Sequence, residues 1–263
     1  MIKVGSLFSG IGGFELGFKA VFKHHCKTVW QVEKEPFCQK ILKQHFPESV
    51  IYDDVLTVGL HNLEPVDVIM GGFPCQSISL AGKMEGLQNE KKSGLWWEMF
   101  RIISELRPRI VLLENVANVI RLGGTDVVGS LAQIGYSCEW TIVRASDFGA
   151  PHRRARWFCV AYTDSAFVKR GGMSIRTQQE QPNINGDSRG QSLWSYSNLP
   201  KPTICGMDDG IPRKLDSSTN KIRKERLKAL GNAIVPQCAE WVALQLFKSG
   251  LLDDLMENEH LSN

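Results

Sequence analysis

Among seven cysteines, Cys75 is the one placed for chemistry, within Gly71-Gly72-Phe73-Pro74-Cys75-Gln76-Ser77. Residues 66–70 form a short apolar run of the kind that makes a buried strand. The glycines and proline then stop regular structure and lift Cys75 into a loop at the strand's C-terminal end. In open α/β sheets, ligands and chemistry gather at that edge. A cysteine is usually a small core residue, and that reading suits most of the others. Cys75, with Pro before it and polar residues after it, reads as a nucleophile. Ile110-Val111-Leu112-Leu113 is another buried strand and delivers Glu114 and Asn115 to the same edge. A carboxylate directly after four apolar residues is costly unless used or paired; capping a following helix is the plain structural alternative. Arg153-Arg154-Ala155-Arg156 precedes the apolar run 157–161. Strand alternation puts Arg154 and Arg156 on one face, which suits contact with an anion or a base at least as well as a solvated surface.

A second set of residues suits a bound nucleoside. Residues 2–8 read as the first strand and lead into Ser9-Gly10-Ile11-Gly12-Gly13. Thr28-Val29-Trp30-Gln31-Val32 ends at Glu33, which lies 20 residues beyond Gly13. A doubly wound dinucleotide fold places its ribose-binding acid at about that distance. A third strand, 49–52, is followed by Asp53 and Asp54. The turn is Gly-x-Gly-Gly and has no basic residue beside it to meet a pyrophosphate. Glu33 and Asp54 add negative charge. A phosphate-free nucleoside with a positive centre fits best, and S-adenosylmethionine is such a ligand.

These residues need a sheet with helices between its strands. Helices are expected from the glycine turn to Lys23, over Pro36–His45, over Leu95–Leu106 and over 127–134, with further strands at 137–143 and 157–161. The glycine-bearing stretch 76–94 is too long for a passive turn and is expected to form a lid. From 162 to about 220 Gly, Ser, Asn, Gln and Pro dominate, which fits a small nucleic-acid-reading insert or a partly disordered linker. Helices resume at 221–230 and 237–247 around a break at 231–236, and an acidic tail that frays is expected beyond Leu252. The domains are therefore 1–161, catalytic and cofactor-binding; 162–220, target recognition; 221–250, helices completing the first; and 251–263, a tail.

A chain of 263 residues can bury about three quarters of its unfolded surface without staples. Seven cysteines without a Cys-x-x-Cys pair argue for reduced thiols, a cytoplasmic setting and no metal site. No signal peptide is read at the N-terminus, and no run reaches the roughly 18 apolar residues of a membrane span. Residues 165–228 carry twelve Lys/Arg against six Asp/Glu, whereas the remainder is slightly acidic. A basic segment on such a body suits a polyanion, although a solvated loop would carry the same charge.

Five stretches together resemble the DNA cytosine-5 methyltransferases of bacteria and their phages. Phe8-Ser-Gly-Ile-Gly-Gly13 is similar to the family's first cofactor motif and Gly72-Phe-Pro-Cys-Gln76 to its nucleophile motif. Glu114-Asn-Val116, Arg153-Arg-Ala-Arg156 and Leu230-Gly-Asn-Ala-Ile-Val-Pro236 resemble its acid, arginine and last motifs, in the family's order. The resemblance implies a Rossmann-like S-adenosylmethionine-dependent methyltransferase fold with a small irregular target-recognition insert. It implies that Cys75 attacks C6 of a cytosine, that Glu114 holds or protonates N3, and that Arg156 and Arg154 bind O2 and a nearby phosphate. Gln76, Ser77, Ser79 and Asn115 would be further substrate contacts. Because C6 is inaccessible in a duplex, the base must be flipped out.

On the cofactor side the resemblance implies Phe8 against adenine, with Ser9, Gly10, Gly12 and Gly13 around the methionine portion. Glu33 would take the ribose, Asp54 and Val55 the adenine, and Pro74, Leu95, Asn232 and Ala233 would complete the contacts. Double-stranded DNA is the implied partner, a cognate restriction endonuclease a candidate one, and a monomer is expected. Lys34 stands where several relatives carry an apolar group, and His152 where Gln is common. The segment ahead of the last motif is short, and residues 200–210 resemble the connector of phage-type members. Two other readings use the same residues: a weak or inactive DNA-binding relative, and an RNA cytosine-5 methyltransferase. An NAD-dependent oxidoreductase would leave Cys75 and Glu114 unexplained.

Overall fold

The computed structural model describes residues 1–74, 94–150, 152–163 and 217–256, with side chains from 224 onward in the last stretch. Among the described residues, seven strands form one sheet in the order β3-β2-β1-β4-β5-β7-β6. The strands are β1 (Ile2–Leu7), β2 (Cys26–Val32), β3 (Val50–Tyr52), β4 (Val68–Gly72), β5 (Ile110–Val116), β6 (Tyr136–Arg144) and β7 (Ala155–Thr163). β1 to β5 pair in parallel, whereas β7 runs antiparallel to both β5 and β6. The chain winds outward from β1 to β3, then restarts at β4 on the other side of β1. The crevice between β1 and β4 is the topological switch point at which such sheets bind ligands. Both sequence-singled loops, after Leu7 and after Gly72, leave the sheet there.

Strand alternation sorts the core into two layers. Val4, Val68, Met70, Leu112, Phe158 and Val160 face α1 (Gly13–Phe22), with its stacked Phe18 and Phe22. Ile69, Val111, Leu113, Trp157 and Cys159 face the opposite layer, with Met99, Ile102 and Ile103 of α3 (Leu95–Leu106). Ile110, Val111, Leu112 and Leu113 are each 0% exposed, as the central strand of a two-sided sheet requires. The remaining helices are α2 (Pro36–His45), α4 (Val119–Leu122), α5 (Gly124–Gln133), α6 (Ser217–Asn232), α7 (Pro236–Ser249) and α8 (Asp253–Met256).

Three sequence expectations are corrected in the C-terminal half of the chain. The basic helix continues through Asn232, so the break narrows to residues 233–235. β7 extends to Thr163, past the expected end at Ala161. Beyond Leu252 the chain does not fray at once: Asp254 pairs with Arg109 at 2.8 Å, and the Met1 ammonium donates to the Leu255 carbonyl at 3.0 Å. Leu251 and Leu252 are buried, which ties this end to the core. No helix among the described residues is long and apolar enough to cross a membrane.

α7 returns to lie along α1, and two glycines one turn apart make the approach possible. A Cβ on Gly17 would sit 2.5 Å from the Pro236 carbonyl oxygen, and one on Gly13 only 2.2 Å from that of Ile234. Gly13→Ala is therefore expected to cost about 1–3 kcal/mol of stability, because the obstruction is backbone and cannot rotate away. Urea unfolding of the full chain measures this, and an unchanged midpoint would disprove the steric account.

Candidate active site

The turn after β1 is bent for proximity. Phe8 has φ +56° and Gly10 and Gly12 have φ +57° and +86°. A non-glycine residue in the left-handed region stores strain, and such strain collects at functional sites. A Cβ on Gly10 would meet nothing within 4 Å, whereas one on Gly12 would strike Phe46 at 2.6 Å. Gly10 thus borders open space, Gly12 packs against α2, and Gly13 packs against the last motif. Ser9 lies over β1, its hydroxyl donating to Ser6 Oγ at 2.9 Å.

Glu33 leaves the end of β2 and braces this turn. Its Oε2 accepts from the Gly10 N–H at 2.7 Å and its Oε1 from the Glu35 N–H at 2.8 Å. Burial pushes its carboxyl up, and those two amides pull it back down. Asp54, at the end of β3, accepts from the Leu56 N–H at 3.1 Å and pairs with Lys34 Nζ at 3.1 Å. The Leu56 amide, then Lys34, hold its carboxyl below the usual range. Val55 is buried beside it. Lys34 thus neutralises the acid expected to meet adenine, from a side chain that is 78% exposed. An apolar, partly buried Phe8, open space at Gly10 and two acids fit a nucleoside with a cationic sulfonium.

Across the switch point stands the acid. Glu114 pairs in register with Gly72 of β4 and Phe158 of β7. It is 8% exposed, and its Oε1 meets Arg156 Nε at 2.9 Å. Burial pushes its carboxyl up to about 7, although Arg156 and then Arg154 pull the other way. The glycine at 72 has a local cause: a Cβ there would lie 2.8 Å from Glu114 Oε2. The second glycine of the cysteine motif therefore makes room for the carboxylate of the neighbouring strand.

Asn115 is 3% exposed and holds the loop that leads to Cys75. Its Nδ2 donates to the Phe73 carbonyl at 2.8 Å and its Oδ1 accepts from the Val116 N–H at 2.8 Å. Those contacts make it a brace for residues 73–74. Asn115→Asp keeps the acceptor but faces an oxygen toward the Phe73 carbonyl. The lost buried bond is worth about 1–3 kcal/mol, so kcat should fall roughly ten- to a hundredfold with little change in KM. A kcat within twofold of wild type would show that Asn115 does not position this loop.

The two arginines diverge. Arg154, at φ +30°, precedes β7, and its Nη2 donates to the carbonyls of Gly231 at 2.7 Å and Ala233 at 2.6 Å. It clamps the backbone around Asn232, which is exposed, while Ala233 is half-buried. Among the described residues, Arg156 alone forms an ion pair with Glu114. Pro74 is exposed and Leu95 half-buried at the start of α3. Cys75, Gln76, Ser77 and Ser79, with the lid expected at 76–94, lie outside the described residues except for its last residue, Gly94. Most of the target-recognition segment does too. The brace by Asn115, the clamp by Arg154 and the packing role of Gly13 were missed in the sequence. Only the Gly-x-x-x-Gly spacing of Gly13 and Gly17 could have signalled the last.

This strand order, its single reversed strand and two loops at one switch point define a Rossmann-like methyltransferase fold. A 16%-identical solved structure, the Dnmt2 methyltransferase of Schizosaccharomyces pombe, shares that fold, with a TM-score of 0.60 over 97% of this chain and 99% of its own. The family model for C-5 cytosine-specific DNA methylase matches residues 2–204, and the chain belongs to that family. Among curated relatives, the type II methyltransferase M.NlaIV of Neisseria lactamica is 32% identical over 239 residues, 85% of this chain and 50% of its own. M.Bsp6I of Bacillus sp. (strain RFL6) is 31% identical over 174 residues, 64% of this chain and 55% of its own. The chain spans about half the length of these relatives.

Proposed function

We propose that the chain is a DNA (cytosine-5-)-methyltransferase acting on a flipped-out cytosine in double-stranded DNA, as a cytoplasmic monomer. The observation that carries this reading is the buried Glu114 carboxyl, held by Arg156 beside the Gly72-Phe73-Pro74 segment that leads into Cys75. The Cys75 thiolate adds to C6, and the ring electrons it displaces accumulate at C5 and N3. Glu114 gives a proton to N3, and Arg156 orients that carboxyl and faces O2. S-adenosylmethionine, when bound, supplies the methyl group to C5. Loss of the C5 proton to solvent water then lets the C5–C6 double bond re-form and expels Cys75 as thiolate, and Glu114 regains its proton from N3. Phe8, Glu33, Asp54 and Val55 would hold the adenosyl group, with Asn232 at the mouth kept in place by Arg154. The type II names of the relatives support a restriction-modification setting with a cognate endonuclease.

Incubating the protein with methyl-labelled S-adenosylmethionine and either cytosine-containing duplex DNA or tRNA tests the reading. Label is expected in DNA as 5-methylcytosine. Label in tRNA alone would transfer the reading to RNA, and label in neither would mark a non-catalytic relative.

A further inference from the structure

Arg101 lies in α3, a full helix turn and more from the catalytic edge, yet it is tied to the turn that follows Asp54. Its Nε donates to Glu98 Oε2 at 2.9 Å and its Nη1 to Glu105 Oε1 at 2.9 Å. Its Nη2 donates to the carbonyls of Val55 at 3.1 Å and Val58 at 2.8 Å. Glu105 closes the bracket, its Oε2 accepting from the Leu60 N–H at 2.9 Å. Gly59 leaves no room for a side chain beside this bracket: a Cβ there would lie 2.5 Å from Glu105 Oε2 and 2.9 Å from Arg101 Nη1. One guanidinium, oriented by two carboxylates, therefore fixes residues 55–60 against the helix.

We propose that Arg101 is a positioning residue for nucleobase discrimination: by fixing this turn it sets the height of the Asp54–Val55 wall. The inference rests on Asp54 and Val55 as the adenine contacts. Trp30 Nε1 donating to the Glu64 carbonyl at 2.9 Å and Tyr52 Oη donating to the Asn62 carbonyl at 2.7 Å tie the far end of this segment to the sheet, whereas Arg101 is what joins residues 55–58 to α3. A rigid fork suits the task, because four acceptors in fixed directions match guanidinium geometry and exceed what an ammonium on a flexible stem can reach together. Arg101 itself touches no ligand in this arrangement.

Calorimetric titration of the full chain with S-adenosylhomocysteine and with its inosine counterpart, which lacks the 6-amino group, tests the proposal. The wild type should prefer the adenine form by about tenfold, the value of one hydrogen bond to a charged acceptor. Arg101→Lys should reduce that preference to about threefold or less, mainly by weakening the adenine form. Glu105→Gln provides a second, independent loosening of the same bracket and should reduce it too. A role in folding alone would lower the thermal midpoint and the binding stoichiometry but leave the preference intact. An unchanged preference in both variants overturns the proposal. Asp54→Asn separates the two levels: if it keeps the wild-type preference, the Asp54 assignment itself has failed, whatever the Arg101 variants do.

Discussion

Cys75→Ser is expected to lower methyl transfer by at least about 10⁴-fold, while affinity for S-adenosylmethionine stays within about twofold. A cysteine is a few per cent thiolate near neutrality and intrinsically very nucleophilic; a serine hydroxyl at the same place is almost wholly protonated. Glu114, the acid nearest the Gly72-Phe73-Pro74 segment among those described, is held in an ion pair with Arg156 at 2.9 Å and does not replace the thiolate. Single-turnover transfer measures the loss. A 5-fluorocytosine duplex gives an independent reading, since it should trap a covalent adduct with the wild type and none with the variant. Transfer by the variant within tenfold of wild type would mean that the thiol is not the attacking group.

Glu114→Ala is expected to cost about 10²- to 10⁴-fold in kcat, the usual contribution of a positioned acid. Its pH signature is more specific. Burial raises this carboxyl to about 7, and N3 needs the protonated form. Below that pH the proton is present; above it the proton is lost, so kcat/KM for DNA should fall with rising pH, approaching tenfold per unit. Ionisation of Cys75 works in the opposite direction, and together they predict a bell. Glu114→Gln, whose amide donates at every pH, should flatten the alkaline limb. Arg156→Gln should move that limb to higher pH, because Arg156 is the foremost charge pulling the Glu114 carboxyl down. An alkaline limb unchanged in Glu114→Gln would exclude Glu114 as its source.

The strands were legible in the sequence because their apolar runs are short and bounded by Gly, Pro or acids. The candidate site was legible as a set of positions because Glu33, Asp54 and Glu114 each follow such a run. Sequence could not give the strand order, since nothing local in residues 155–163 states that this strand runs antiparallel between β5 and β6. Side-chain direction was equally hidden. Arg154 and Arg156 are two residues apart and read as a pair, yet the positive φ at Arg154 turns it toward Gly231 and Ala233 instead. Asn115 read as a substrate contact by position in its motif, and only burial reveals its bond to Phe73. Fraying was expected of an acidic tail; Arg109 and the Met1 ammonium, both far away in sequence, hold it through Met256.

The glycine seam between α1 and α7 also sets the order in which the protein can mature. Gly13 emerges early in synthesis, but the Ile234 backbone that abuts it follows more than two hundred residues later. At roughly 5–20 residues per second the ribosome needs about 10–45 s to supply it. Until then the open turn has its floor, β1, but lacks the wall that α7 and the Arg154 clamp provide. On the proposed reading, capture of S-adenosylmethionine should therefore begin only after the chain is released and residues 233–235 have packed on Gly13, which makes ligand binding a clock for completion of this long-range contact.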